Sequence, residues 1–328
     1  MNDWSDHHAQ LHQTLKVRGL LPAKSRVLIA VSGGQDSLCL LKLLCDLQPH
    51  WEWQLGVVHC DHQWRSDATT NAEHVRSLCH SWQVPIYIKT ASTTLTGEAA
   101  ARQWRYSCFQ AIAQAANYAY VVTGHTASDR AETLLYNLVR GSGSDGLQAL
   151  GWSRSLNYDC SQIQLVRPLL EFRREATAQI CQTYQLPIWA DSTNQDVQFA
   201  RNRMRLEVLP YLHQHFNPQA EQHMAHTAEL LSAEVDYLQA QATKIYNQAT
   251  APQQPQQIDR LVLRSQHIAL QRRVIRQFLQ ATLRQAPNFG QIEAVVRLIG
   301  APNRSQTATF SGGFYLRVCD RYLQIMQT

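Results

Sequence analysis

The stretch Arg26-Val-Leu-Ile-Ala-Val-Ser-Gly-Gly-Gln-Asp-Ser-Leu-Cys-Leu-Leu-Lys-Leu-Leu44 decides the fold. Its first half is an apolar run of branched residues, the form of a strand buried on both faces. Its second half repeats leucine at helical spacing, at Leu38, Leu41 and Leu44. Between them, Ser32-Gly33-Gly34-Gln35-Asp36-Ser37 forms a strand-to-helix turn. A glycine pair there lets backbone approach a ligand closely, and the helix N-terminus presents unsatisfied N–H groups to an anion. The turn therefore predicts a phosphate cradle. Asp36 would repel a bare phosphate, which implies a bridging cation, most simply Mg2+. The plainer alternative is a glycine-rich turn in which Ser37 or Asp36 caps the helix. The strand before and the helix after favour the nucleotide.

Working outward, a short amphipathic helix is expected over residues 5–20, ahead of this stretch. Strands are expected at 26–31, 54–59, 85–89, 118–123 and 164–169. Helices follow them to about 47, then at 66–82, 97–117, 128–140 and 173–185. This alternation predicts an α/β chain with a doubly wound, five-stranded parallel sheet, Rossmann-like in form. Ligands bind such sheets beyond the carboxyl ends of the strands, where the strand order switches. The loop 32–37 after the first strand and the turn 124–129 after the fourth are therefore expected to meet. Gly141-Ser-Gly143-Ser-Asp-Gly146 spells a dinucleotide fingerprint but follows a helix rather than a strand, so NAD is discounted.

The 328 residues exceed one usual core, predicting two domains, a nucleotide-binding α/β domain at 1–215 and a helical linker with a smaller α+β domain at 216–328. In the second part the sequence suggests a long helix at 219–247, a Pro/Gln-rich connector at 250–257 and a short strand at 260–263. A basic helix at 266–284, carrying Arg272, Arg273 and Arg276, a helix at 291–299 and a hairpin or three-strand meander at 306–325 complete it. Such a unit suits docking on a phosphate backbone. Apolar content of 45% and charged content of 17% describe an ordinary globular chain. No apolar run approaches the ~20 residues of a membrane span, and no signal peptide is visible, so a cytoplasmic location is expected. Eight cysteines include no Cys-x-x-Cys, which indicates neither a zinc ribbon nor a disulfide framework. The net charge of +5, carried mostly by arginine, suits a polyanionic partner. Arg201 and Arg205 fall on one face of a helical stretch, where a solvated face would serve as well.

The motif Ser32-Gly-Gly-x-Asp-Ser37 resembles the pyrophosphatase loop of the N-type ATP pyrophosphatases, which cleave ATP between its α- and β-phosphates and adenylate a substrate. Further motifs narrow the resemblance: Val58-His59-Cys-Asp-His62-Gln-Trp-Arg65, Glu98-Ala-Ala-Ala101-Arg102-Gln-Trp-Arg105-Tyr106 and Gly124-His125-Thr-Ala-Ser-Asp129-Arg-Ala-Glu132-Thr133. Arg140-Gly-Ser-Gly143-x-x-Gly146-Leu147, Arg167-Pro-Leu-Leu170, Asp191-Ser-x-Asn194 and Arg201-Asn202-x-x-Arg205 follow in order. Together they resemble the tRNA(Ile)-lysidine synthetase family over roughly residues 20–215, and the second domain resembles that family's first C-terminal domain.

The resemblance implies that ATP adenylates O2 of the wobble cytidine in a CAU anticodon of tRNA(Ile), releasing pyrophosphate. Free L-lysine then attacks C2 and displaces AMP. It implies that Ser32, Gly33, Gly34, Gln35, Asp36 and Ser37 hold ATP, with Mg2+ on Asp36. It further implies that Asp129 and Glu132 bind the lysine, and that His59, His62 and Arg65 shape the nucleotide site. Arg102 and Arg105 would contact phosphate or tRNA, and Arg201, Asn202 and Arg205 would lie near ATP and the anticodon loop.

Each assignment has a plainer counterpart. Acidic residues stabilise any helix N-terminus, which would account for Asp129 and Glu132. His59 could serve structure at a strand end, and Arg102 and Arg105 could pair with Glu98. Ser128 and Arg130 depart from the family pattern, which often has Asp and Gln there. The rival functions are a tRNA base-thiolating enzyme, which generally relies on paired cysteines, and a non-catalytic nucleotide-binding module. The sequence leaves the oligomeric state open, a homodimer included.

Overall fold

The computed structural model describes residues 4–64, 67–156, 163–189, 197–198, 200–251, 253–283 and 286–327. They form two compact units, residues 1–231 and 232–328. The first unit opens with α1 (Asp6–Arg18), β1 (Arg26–Ala30), α2 (Gln35–Trp51), β2 (Gln54–Asp61), α3 (Ala68–Ser81) and β3 (Ile86–Thr90). It continues with α4 (Glu98–Ala115), β4 (Tyr120–Thr123), α5 (Ala127–Val139), the single turn α6 (Ser144–Leu147), β5 (Ser153–Ser155), β6 (Gln164–Val166) and α7 (Arg174–Thr183). α8 (Ala200–Arg203) then passes through a π-helical turn, Met204–Val208, into α9 (Leu209–His215). The long α10 (Ala220–Ala249) follows, and the division between the units falls inside it.

The strand order is β3-β2-β1-β4-β6-β5, and β1 pairs in parallel with both β2 and β4. Five strands are parallel, as the alternation predicts. The sheet nevertheless has six strands, because β5 adds an antiparallel edge beside β6. Its residues, Ser-Arg-Ser, are all exposed, so no apolar pattern marks it. The fifth parallel strand is also shorter than expected and ends at Val166, two residues before Pro168.

Alternate residues of the strands enter opposite faces. Val27, Ile29, Val57, Val122 and Val166 join the core beneath α1, α2 and α7. Leu28, Val58, Val121 and Leu165 join the other core, with Phe109 and Ile112 of α4. Each such side chain contributes roughly 1.5–3 kcal/mol by leaving water. In α2, Leu38, Leu40, Leu41, Leu43, Leu44 and Leu47 are all fully buried. The helix is thus enclosed beyond the single stripe its spacing suggests.

Two glycines shape the carboxyl edge of the sheet. Gly33 has φ +90°, and a Cβ there would lie 2.4 Å from Asn71 Oδ1. A Cβ on Gly124 would lie 2.7 Å from the carbonyl oxygen of Asp36. The turn after β4 therefore abuts the loop after β1, at the strand-order switch point.

The second unit contains β7 (Gln257–Asp259), α11 (Arg260–Arg264), α12 (Ile268–Leu283), α13 (Phe289–Leu298), β8 (Phe314–Cys319) and β9 (Tyr322–Gln327). It encloses its own core of Ile258, Leu263, Val274, Phe278, Leu316 and Leu323, among others. The strand expected at 260–263 is a helix. Asp259 caps it, accepting the Leu261 N–H at 2.9 Å, and the strand is displaced to the three residues before. β8 and β9 form the expected hairpin, and the third strand of their sheet is β7, on the far side of β9. In α12, Arg272 is held 2.6 Å from Glu293 and Arg273 is buried, so part of the expected basic face serves the unit's own structure.

Candidate functional site

Thirteen of the residues singled out above line one cleft of about 650 Å3 over the carboxyl ends of β1 and β4: Ser32, Gly34, Gln35, Asp36, Ser37, His62, Arg102, Arg105, Asp129, Glu132, Arg201, Asn202 and Arg205. Gly33 and His59 do not line it. Gly33 makes the turn behind it, and the His59 ring Nδ1 lies 2.8 Å from the Val31 carbonyl, tying the end of β2 to the start of the loop. Burial lowers the His59 pKa and keeps the ring neutral. Arg65 and the Asp191–Asn194 motif lie outside the described residues.

The loop is ordered by its own hydroxyls. Ser37 Oγ donates to the Gly34 carbonyl at 2.8 Å and accepts the Ser32 N–H at 3.2 Å. Gly34 is the N-cap of α2 and supplies no side-chain cap. Neither Ser37 nor Asp36 caps the helix, and the leading N–H groups of a 17-residue helix remain available to an anion. Gln35 turns away toward α7, where its amide donates to Thr177 Oγ1 at 2.8 Å and to the Arg174 carbonyl at 2.9 Å.

The acidic side of the cleft is built around Arg174, the first residue of α7. Its guanidinium lies 3.4 Å from Asp36, 3.4 Å from Asp129 and 3.5 Å from Glu132. Thr177 adds a 2.5 Å hydrogen bond to Asp36 Oδ1. Burial raises the Asp36 pKa, with Arg174 and Thr177 opposing.

Asp129 belongs to a capping box at the start of α5. Its Oδ2 accepts the N–H and the hydroxyl of Thr126, both at 2.8 Å, while Oδ1 faces Arg174. Burial pushes its carboxyl up, but His125, Arg174 and the Thr126 bonds outweigh this and hold it below the usual range. Burial and the proximity of Asp129 push Glu132 up to about 7. Asp129 thus caps α5 with one oxygen and turns the other to Arg174, while Glu132 lies outside the capping box and faces Arg174.

The opposite side is basic. Arg102 and Arg105 come from α4, and Arg201 and Arg205 from the α8 segment, where the π-helical turn begins between them. Glu98 pairs with Arg201 at 3.6 Å rather than with Arg102 or Arg105. Tyr106 lies between the guanidinium groups of Arg102, 5.0 Å from its ring, and Arg154, 4.6 Å away. Behind it Arg167 is 2% exposed, and burial lowers its pKa to about 10. His125 lines the cleft beside Asp129. Burial, reinforced by Arg167 and Arg102, depresses its pKa to about 3, leaving a neutral ring at physiological pH.

Arg174, Thr177, His125 and Tyr106 were not assigned from the sequence. A signal for Arg174 exists: Arg173-Arg174 opens a helix, where the dipole disfavours cations, so compensating anions must be close. Ser128 and Arg130, the two departures from the family pattern, are partnered from α10. Ser128 donates to Glu221, and Arg130 Nη1 donates to Glu229 at 2.6 Å.

This cleft can hold a polyanion on one side and a cation on the other. A family model described as the PP-loop domain matches residues 5–212, and one described as the TilS substrate binding domain matches residues 259–322. The chain is 54% identical to tRNA(Ile)-lysidine synthase from Nostoc sp., over 96% of this chain and 95% of the relative. It is 50% identical to tRNA(Ile)-lysidine synthase from Thermosynechococcus vestitus, over 99% and 93%. Among solved structures, the U34-tRNA thiolase NcsA from Methanococcus maripaludis with its 4Fe–4S cluster matches with a TM-score of 0.58. That match covers 69% of this chain and 77% of that one at 15% identity, and it shows a shared fold alone.

Proposed function

The chain belongs to the tRNA(Ile)-lysidine synthase family, and on that premise we propose that its cleft joins lysine to C2 of the wobble cytidine of tRNA(Ile) with a CAU anticodon. It is an ATP-dependent C–N ligase, consuming ATP and giving AMP and pyrophosphate. The observation that carries this reading is the two-sided cleft, with Asp36, Asp129 and Glu132 around Arg174 facing Arg102, Arg105, Arg201 and Arg205.

In this reading the triphosphate rests on the 32–37 loop and the N–H groups of α2. Cytidine O2 attacks the α-phosphorus; the new O–P bond forms as the bond to the bridging oxygen breaks, and pyrophosphate leaves with its electrons. The lysine amine then attacks C2, the C2–O2 bond breaks onto AMP, and the amine gives up a proton. Asp129, held ionised, faces the substrate ammonium. Glu132, titrating near 7, is the group suited to take the proton. The arginine side receives the phosphates of the nucleotide and the anticodon.

Mg2+ fits the donors present. Asp36 offers a hard oxygen ligand, and this ion typically takes one or two carboxylates together with substrate phosphates and water. Among the described residues no cluster of three His, Cys, Asp or Glu could hold a metal alone. When bound, the ion would neutralise charge on the phosphates.

The match of the substrate binding model to 259–322 supports a tRNA-contacting role for the second unit. No described helix is long and apolar enough to cross a membrane, and tRNA as substrate supports the cytoplasm as the place of action. Base thiolation is not favoured, because the near-full-length relatives are lysidine synthases.

The test is incorporation of radiolabelled lysine into tRNA(Ile) bearing CAU, with ATP and Mg2+, omitting each in turn. Labelling that requires all of them and a wobble cytidine is the expected result. Pyrophosphate release without any lysine incorporation would overturn the substrate assignment.

A further inference from the structure

We propose that Glu221, in the first turn of α10, is a positioning residue for the substrate amine, acting through Ser128 and Arg174; this rests on the lysine reading above. Glu221 is 8% exposed and Ser128 4% exposed, so neither group relies on water. The Ser128 hydroxyl donates to Glu221 Oε1, and the same oxygen of Ser128 accepts the backbone N–H of Arg174 at 3.3 Å. The second carboxylate oxygen of Glu221 lies 3.8 Å from His213 Nε2. Glu221 is also among the carboxylates whose charge favours the Arg174 cation, with Asp129, Asp36 and Glu132.

Arg174 is thus shared by four anions, of which three line the cleft and Glu221 does not. A substrate ammonium entering between Asp129 and Glu132 must compete with this guanidinium for the same oxygens. Glu221 draws the positive charge away from them and fixes the backbone from which Arg174 extends. With Glu221 neutral, the guanidinium Nη atoms bind Asp129 and Glu132 more tightly, and the ammonium binds less well.

The whole enzyme is assayed with Glu221→Gln, Ser128→Asp and the double variant Ser128→Asp/Glu221→Ser. Glu221→Gln is expected to raise KM for lysine about tenfold, the effect of one charge-assisted hydrogen bond. KM for ATP, and pyrophosphate release with tRNA and ATP alone, should change less than about twofold on the same scale. Ser128→Asp sets two buried carboxylates against each other and should be more impaired than either other variant. The double variant returns one carboxylate and one hydroxyl to the same place and should recover a lysine KM within about threefold of the parent. Recovery by exchange distinguishes this role from mere packing. An unchanged lysine KM in Glu221→Gln, or a double variant no better than Ser128→Asp, would overturn the inference. Absence of lysine incorporation by the parent enzyme would instead defeat the lysine reading itself.

Discussion

A guanidinium at the first turn of a helix opposes the helix dipole, and Arg174 tolerates that position because three carboxylates lie within 3.5 Å of it. Asp36→Asn keeps an acceptor for Thr177 but removes the charge. Adenylation, read as pyrophosphate release, should fall more than about 100-fold while the melting temperature stays close to the parent's. Glu132 makes a different prediction, because its carboxyl titrates at about 7 against an ordinary 4.5. Between those values the folded state binds the proton more tightly than the unfolded chain, so this group's contribution to stability falls as pH rises from about 4.5 to 7. Glu132→Gln should therefore raise the melting temperature of the ligand-free protein at pH 8 by a few degrees, on the order expected for such a shift, and leave it unchanged at pH 4. In the parent, KM for lysine should rise as pH drops below about 7 and the carboxylate is lost, and this dependence should be absent from the variant.

At the scale of the element, the switch point depends on backbone contact rather than on any functional side chain. The Gly124 position meets the Asp36 carbonyl so closely that an added Cβ would lie 2.7 Å away. Gly124→Ala must push the turn after β4 from the phosphate loop. It should weaken ATP binding about tenfold or more by equilibrium dialysis, with a smaller effect on secondary structure by circular dichroism. The loop and the strand-helix alternation were legible, because each is local: a glycine pair and periodicity are written within a few residues. The error at 260–263 has the same origin. Leu-Val-Leu is too short for periodicity to separate strand from helix, and the Asp259 cap decided it.

For the whole molecule, α10 is the element whose assignment matters most, since its first turns belong with the first unit. Glu229 accepts from Arg130, from Trp152 at 2.8 Å and from Arg18 at 2.8 Å. Arg130 is 2% exposed, so cutting the chain after residue 215 would leave a buried charge without this partner. That truncation should lose about 3–5 kcal/mol of stability relative to one ending at residue 231. The longer fragment should keep ATP binding and lose most tRNA binding. Urea denaturation and filter binding on the two fragments check both statements, and equal stability would show that the Glu229 contacts contribute little.

The sequence by itself determined the parallel sheet and the phosphate loop, because both are carried by short-range patterns, and its motifs, through their resemblance to a known family, named thirteen of the residues that line the cleft. It could not reveal that Arg174 stands among Asp36, Asp129 and Glu132, or that Glu221 and Glu229 answer Ser128 and Arg130. The partners of Arg174 lie 42 to 138 positions from it along the chain, and the α10 pairs are 93 or 99 apart. Electrostatic pairing acts through space and leaves no periodic mark on the chain, so only the tertiary structure decided which charges meet.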